Sequence, residues 1–348
     1  GFNDFSRIGP FLPKHREKFL DFLKLLYDSP LCPYIYNLCL AEYYYQTNRL
    51  MDSEMLVSSS LKKFDIEGEK RIIFSSLYLQ SKILLAHGKS VKSESFIQNM
   101  RKLSGQAGKA EFNYNIDAAE VLFALYDGKI SFVNEWLASN APDEFADFNM
   151  LDLYRYMIKM RCYIATGKYA SVIALAERLR PLVTAGRRHM DLCELDLLEA
   201  MSLFASKNKE AAFEALSRAL KIARMHRYYR LIADEGESIL HLLIDYIKEN
   251  GENPFLMMLA EMTRDMAIRH PLYMKTPNLK GDAFTPMEID ILSLLEQGKA
   301  NEEIAEYFFI SVNTVKWHIK NIYAKLGAKS ATQAVWKARV AGILGGGT

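Results

Sequence analysis

The sequence predicts an all-α protein in two parts, a long superhelix of paired helices followed by a compact four-helix domain. Apolar residues recur at spacings of three and four over most of residues 16–270, and strand signals are nearly absent. Short polar turns interrupt this pattern at intervals of about 40 residues. After His270 the pattern stops at a stretch punctuated by Pro and Gly. We therefore expect a repeat domain at 1–270, a linker at 271–283 and a C-terminal domain at 284–348.

Size and composition indicate a soluble globular protein. The chain has 348 residues, of which 50% are hydrophobic and 25% charged. No apolar run approaches the roughly 20 residues that cross a bilayer, and the first residues do not resemble a signal peptide. Gly1 stands in place of a starting Met, so we expect that the natural protein can extend upstream. The cysteines form no C-x-x-C pair and are expected to be buried reduced thiols of a cytoplasmic protein: Cys32, Cys39, Cys162 and Cys193.

The polar turns of the first part mark the boundaries of helix pairs. Gly and Asn can adopt the left-handed conformation that ends a helix, which explains these residue types at the turns. One helix pair cannot bury its apolar face alone, so regularly spaced pairs are expected to stack into an α-solenoid. Chance spacing of unrelated helices is the alternative, and the regularity of the interval disfavours it. The markers are Asn48, Gly88, Gly128, Gly167 and Asn208.

Four short helices are predicted in the C-terminal domain. The first begins at Thr285-Pro286 and ends at Gly298, and the second begins at Asn301. The third runs from Val312 to about Leu326, with Ser311 as its cap. The fourth follows a capping box at residues 330–333.

The third helix has two different faces. Its apolar stripe comprises Val312, Val315, Ile319, Ile322 and Leu326, whereas the opposite side carries Asn313, Lys316, Trp317 and Lys320. A helix with a polar and basic outer face can enter the major groove of DNA. The periodicity by itself favours an ordinary amphipathic surface helix. Acids precede Tyr307 and only bases follow, at Lys316, Lys320, Lys325, Lys329, Lys337 and Arg339. Such a basic segment can face phosphates or form a solvated helix face, and the charges alone do not decide between the two.

The order of these elements closely resembles the LuxR-type helix-turn-helix family. The resemblance covers residues 284–344 and rests on motifs at fixed spacing. They are Phe284-Thr285-Pro286, Gly298, Asn301-Glu302-Glu303-Ile304-Ala305, Ile310-Ser311, Thr314-Val315-Lys316-Trp317-His318, Asn321-Ile322 and Lys325-Leu326-Gly327.

The resemblance implies that the third helix is a recognition helix bound to double-stranded DNA. The implied DNA-binding residues are Ser311, Asn313, Thr314, Lys316, Trp317, His318, Lys320 and Asn321. Ala331 stands where the family usually has an Arg, which puts one phosphate contact in doubt. The fourth helix of such domains often pairs two copies, so a dimer on DNA is expected, with Val335 and Ala338 as an exposed apolar face.

Residues 186–236 resemble the TPR-like helical-repeat sensor region of MalT-type regulators. The resembling motifs include Leu198-Glu199-Ala200, Glu210-Ala211-Ala212 and residues 230–236. In that family the repeats follow a nucleotide-binding module and can bind an inducer. This chain has no Walker-type glycine-rich run, so such a module either lies upstream of Gly1 or never existed.

A ligand or a protein partner on the repeats is therefore expected. The candidate ligand residues are Tyr44, Arg187, Arg188, Tyr229 and Arg230. For these particular residues the sequence favours other roles, namely core packing of the aromatic clusters and a solvated face or an ion pair with Asp234 for the arginines.

The sequence thus favours a ligand- or partner-responsive transcription regulator. The histidines show no metal-binding spacing, no catalytic constellation is present, and neither an enzyme activity nor a cofactor is expected. The alternative is a protein-interaction scaffold whose helix-turn-helix serves only dimerisation. The basic residues on the outer face of the third helix favour DNA binding.

Overall fold

The computed structural model describes residues 12–26, 29–61, 70–89, 93–104, 110–274, 284, 286–308, 310–340 and 343–344. These residues form helices without a strand, which confirms the all-α prediction. The repeat domain contains α1 (Arg16–Lys24), α2 (Cys32–Gln46), α3 (Leu50–Leu61), α4 (Lys70–Ala86), α5 (Ser93–Ser104), α6 (Ala110–Tyr126), α7 (Ile130–Ser139), α8 (Leu153–Ala165), α9 (Tyr169–Ala185), α10 (His189–Ala205), α11 (Lys209–His226), α12 (Tyr229–Ala233), α13 (Glu237–Asn250) and α14 (Pro254–Arg269). The C-terminal domain contains α15 (Pro286–Glu296), α16 (Asn301–Phe308), α17 (Val312–Leu326) and α18 (Ala331–Val340).

Left-handed turns separate the helices of the repeat domain at nearly all the predicted points. Asn48, Gly88, Gly128 and Gly167 have φ values of 61°, 69°, 68° and 75°. The prediction for Asn208 is wrong, because Lys207 takes the left-handed conformation there with φ 67°. The side chain of Asn208 instead accepts a hydrogen bond from the Ala211 amide and caps α11. A short polar side chain suits either end of a helix, so the residue type alone did not decide between the two roles.

The superhelix closes so that α2 and α4, near its start, contact residues in and next to α12 and α14, near its end. The Gln46 side chain of α2 accepts a hydrogen bond from the Leu231 amide of α12, 3.1 Å away. The Tyr45 hydroxyl donates to Asp234, and the Arg269 guanidinium donates to the Ala86 carbonyl. The main core runs from Ala118 through to Met274 and includes residues from both helices of successive pairs. Closure surrounds the concave face of the solenoid with protein.

The residues directly after α14 belong to the repeat core. Tyr273 and Met274 are both buried in it, although they fall in the predicted linker. Residues 275–283 lie outside the described part of the chain, as does Thr285, the predicted cap of α15. Among the described helices, none is long and apolar enough to span a bilayer. All four cysteines are buried.

The C-terminal domain packs around the apolar stripe of α17. Val315, Ile319, Ile322 and Leu326 are buried against residues of α15, α16 and α18. The helix begins after Ser311 and ends at Gly327, which is left-handed with φ 60°. The observed bounds of α17 match the predicted ones. Because the apolar stripe is buried, the opposite face of α17 points away from the domain core.

Candidate nucleic-acid interface

The outer face of α17 is a basic and aromatic surface. Asn313, Lys316, Trp317 and Lys320 are all exposed, and Trp317 retains 59% of its accessible surface. Singly exposed rings are common on protein surfaces, so the feature of note is that Trp317 lies beside two exposed lysines on the same face of one helix. No described residue of the repeat domain covers these four side chains. We call them, together with Ser311, the α17 surface.

The first turn of α17 is fixed by its own side chains. The Ser311 hydroxyl accepts a hydrogen bond from the Thr314 amide at 3.1 Å and lies 2.8 Å from the Thr314 hydroxyl. The cap satisfies one of the free amide groups at the helix start, and the other free amides face outward at the positive end of the helix dipole. Such a helix end favours an anionic group such as phosphate.

The remaining predicted DNA-binding residues lie at the edges of this surface. Thr314, His318 and Asn321 are each half-buried. The His318 ring packs edge-on against Trp317 with centroids 4.8 Å apart. His318 therefore positions the indole, and its buried Nδ1 has no hydrogen-bond partner among the described residues.

Half of the basic segment is neutralised inside the protein. Lys325 pairs with Glu288 at 2.6 Å, Arg339 pairs with Glu296, and Lys337 is buried beside Glu144. Lys316, Lys320 and Lys329 are exposed, with no described carboxylate within 4.0 Å of their ammonium groups. These three lysines are the ones free to meet phosphates.

Helix α18 packs against the repeat domain. It contacts α9, and the Trp336 ring lies edge-on to Phe145 with centroids 6.0 Å apart. The Ser171 hydroxyl of α9 donates to the Leu326 carbonyl at the end of α17. The prediction that Val335 and Ala338 form an exposed apolar face is wrong. Ala338 is fully buried in the domain's own core and Val335 packs against that core, because this side of α18 covers α15 and α17.

A buried ionic cluster lies at the centre of this contact between the domains. The Lys337 ammonium is 1% exposed and pairs with Glu144, whose side chain is 7% exposed. The same carboxylate lies 3.6 Å from the Lys159 ammonium and accepts from the Tyr163 hydroxyl at 3.1 Å. Burial lowers the pKa of Lys159 and of Lys337 in spite of the attraction of Glu144.

The five candidate ligand residues do not come together. Tyr44 packs under Arg49, whose guanidinium carbon lies 4.0 Å from the ring centroid, and Tyr229 packs near Phe255. Arg188 pairs with Asp191, and Arg230 pairs with Asp234, which is the ion pair weighed as an alternative. Arg187 occupies a left-handed turn with φ 50°.

The concave face of the superhelix instead holds a cavity that the sequence did not reveal. Its volume is about 120 Å³, and its wall includes Tyr45, Tyr78, Lys82, Tyr126 and Arg161. None of the five candidates lines it. Tyr45 adjoins the candidate Tyr44, but neighbouring residues of a helix face different directions, and only the packed structure shows which one faces inward.

Comparison with known proteins identifies both parts of the chain. Residues 28–249 match the model of the MalT-like TPR region. The chain belongs to the MalT-like TPR family. Residues 282–338 match the luxR family of bacterial regulatory proteins. The MalT-like region therefore extends well beyond residues 186–236, the segment whose motifs carry the resemblance.

Two curated relatives are similar to this chain. Both are described as HTH-type transcriptional regulator MalT and come from two strains of Klebsiella pneumoniae. Each is 25% identical to this chain over 284 residues, covering 76% of this chain and 31% of the relative. The chain thus spans about a third of the length of the curated relatives it matches.

Proposed function

We propose that this chain forms the sensing and DNA-reading parts of a transcription regulator. The observation that supports it most is the α17 surface, where Lys316, Trp317 and Lys320 project together from a helix buried on its other side. A helix of this kind fits the width of the major groove, where ammonium groups reach guanine acceptors or phosphates. Trp317 supplies apolar contact, for instance to a thymine methyl group.

The remaining parts of the site would position the domain. Ser311, Thr314 and the free amides at the start of α17 suit phosphate contacts, which fix the register of the helix without reading sequence. Lys329, just beyond Gly327, adds a third free cation. A dimer on DNA remains part of the proposal, but its contact surface must be sought away from the buried side of α18.

The repeat domain would act as the sensor, through a small ligand or a protein partner. No catalytic role and no cofactor are proposed. A regulator of bacterial genes works where the chromosome is, so we propose a cytoplasmic location. The alternative, a scaffold whose helix-turn-helix serves only dimerisation, does not require exposed lysines on α17.

The first prediction concerns the two central lysines of α17. Binding of the intact chain to duplex DNA should weaken steeply as salt rises, because each neutralised phosphate releases condensed counterions. Lys316→Ala with Lys320→Ala should remove most of the binding. Any residual binding should have a log–log salt slope shallower by about 2. Fluorescence anisotropy at several salt concentrations measures both effects.

The control replaces two exposed cations of the repeat domain, Lys221→Ala with Arg264→Ala, which makes the same change in net charge. The control should bind like the unmodified chain. Equal binding by the α17 double variant would refute the assignment of the recognition helix. Absence of DNA binding by the unmodified chain, with a dimer present, would favour the scaffold.

A further inference from the structure

The cavity of the repeat domain is lined by the inner helix of successive pairs. Its lining comes from α2, α4, α6, α8, α10, α12 and α14, together with Asp234, Glu235 and Tyr273. Its volume of about 120 Å³ is close to that of engineered cavities that hold benzene, roughly 150 Å³. A compact molecule of roughly ten non-hydrogen atoms or fewer is therefore the size that fits.

Aromatic rings form much of the wall. Tyr126 and Tyr273 stack with centroids 4.0 Å apart, and Tyr78 meets Tyr154 edge-on at 5.6 Å. Tyr45 also lines the cavity. Tyrosines combine apolar faces with hydroxyl groups, so such a wall suits a ligand that has both an apolar and a polar part.

Most of the charges in the wall neutralise one another. The Arg161 guanidinium pairs with Glu194 and with Glu235, and its Nε donates to Glu235 at 3.1 Å. Asp234 is paired with Arg230, which lies behind the wall. These groups build the site and have few interactions left for a ligand.

Lys82 and Glu42 are different, because each retains unused binding capacity. The Lys82 ammonium lies 4.6 Å from the centroid of Tyr45, and no carboxylate of a described residue is within 4.0 Å of it. Burial opposes its charge, but nearby carboxylates, Glu42 foremost, raise the pKa of Lys82 above its ordinary value. Among the described residues, only Gln46 donates a hydrogen bond to Glu42, at 3.0 Å. A positive and a negative group therefore face the same cavity without a close mutual pair.

The charges of the wall exclude several classes of ligand. An inorganic anion would meet Lys82 but also the carboxylates of Glu42, Glu194, Asp234 and Glu235. A simple cation would meet those carboxylates but leave Lys82 unpaired. A neutral apolar molecule would bury both free charges without a partner, which is costly. A ligand that carries both charges meets neither objection.

We infer that the cavity binds a small zwitterion of the α-amino acid class, with its carboxylate on Lys82, its ammonium on Glu42 and a compact apolar side chain against the tyrosines. This inference rests on the proposed sensing role of the repeat domain and names the ligand class for it. The contacts are directional, since exchanging the two ends of the ligand would place like charges together. Both termini of the ligand are therefore required for tight binding.

Isothermal titration calorimetry on the intact chain tests the inference. The probes are the L-amino acids with small side chains, their decarboxylated amines and the matching carboxylic acids without an amino group, with glucose and inorganic phosphate for comparison. At least one amino acid should bind at a single saturable site, and both of its truncated analogues should bind at least tenfold more weakly. Absence of amino-acid binding, an amine or acid that binds equally well, or binding of glucose or phosphate alone would overturn the inference.

Two variants test which end of the ligand contacts Lys82 and which contacts Glu42. Each should change the relative affinity for the amino acid and its truncated analogues, an effect that a general loss of folding would not produce. Lys82→Met should abolish the preference for the amino acid over its amine, and Glu42→Gln should abolish its preference over the carboxylic acid. Lys221→Met, on an exposed face of α11, should keep both preferences. Unchanged preferences in both cavity variants would refute the site. DNA binding is measured separately, so an intact DNA response without amino-acid binding would overturn this inference and leave the DNA-reading role standing.

Discussion

At the residue scale, the carboxylate of Glu144 has two buried lysines as partners, one from each domain. Removing its charge by Glu144→Gln leaves Lys159 and Lys337 facing each other without an anion, and this should cost about 3 kcal/mol. Lys337→Met should cost far less, because Glu144 keeps Lys159 and Tyr163. The double variant, Glu144→Gln with Lys337→Met, should be more stable than Glu144→Gln alone, because it removes one of the two unpaired lysines. Scanning calorimetry of the intact chain measures the three transitions, and a Lys337→Met variant that is the least stable would disprove this description of the contact.

The same cluster predicts how stability depends on pH. The folded-state pKa of Lys337 and of Lys159 lies below the ordinary value of 10.5, so the folded chain binds fewer protons than the unfolded chain between the two values. The contribution of these lysines to the free energy of unfolding therefore rises with pH through that window. Lys337→Met should make the dependence of the melting temperature on pH less steeply positive in the window below pH 10.5. A rise that is just as steep in this variant would show that Lys337 is not buried in solution.

At the scale of the element, Ser311 has two separable roles in α17. Ser311→Ala removes the cap and should cost about 1 kcal/mol of local stability. Ser311→Asp keeps a capping oxygen, and its negative charge interacts favourably with the positive end of the helix dipole, so the stability of α17 should be retained. The added negative charge would nevertheless repel DNA phosphates and weaken binding. Comparing thermal stability with DNA affinity checks both roles, and an aspartate variant that binds DNA as well as the unmodified chain would place the phosphates elsewhere.

The bounds of α17 could be predicted because its signals are local. The cap at Ser311, the apolar stripe and the left-handed Gly327 lie within a single run of the chain. The sequence could not show which cations of the basic segment are paired, since the carboxylate partners of Lys325, Lys337 and Arg339 are distant in sequence. The burial of Ala338 was missed for a related reason, because a small residue on an amphipathic helix gives little indication of the side that packs.

At the scale of the whole molecule, the repeat period indicated a solenoid but not its closure. Curvature comes from small rotations between neighbouring pairs, which a local pattern does not specify. The contacts that close it join residues such as Gln46 and Leu231. The cavity is a product of that closure, which explains why Tyr45, Lys82 and Glu42 gave no recognisable motif. The family resemblance, in contrast, depends on local motifs and was visible in both domains.

The two domains are physically connected in the structure, with α18 against the repeats and the α17 surface facing away. Helix α8 contributes Arg161 to the cavity wall and Lys159 to the ionic cluster. This one helix therefore connects the cavity with the contact that holds α18.

Methylation interference on a DNA site selected from a random pool tests most directly whether α17 reads the major groove. Methyl groups on guanine N7 lie in the major groove, whereas those on adenine N3 lie in the minor groove. With the intact chain, N7 methylation at particular guanines should block binding, and Lys316→Ala or Lys320→Ala should remove that interference at individual positions. Binding that tolerates every N7 methyl group but is blocked by N3 methylation would contradict the placement of this helix in the major groove.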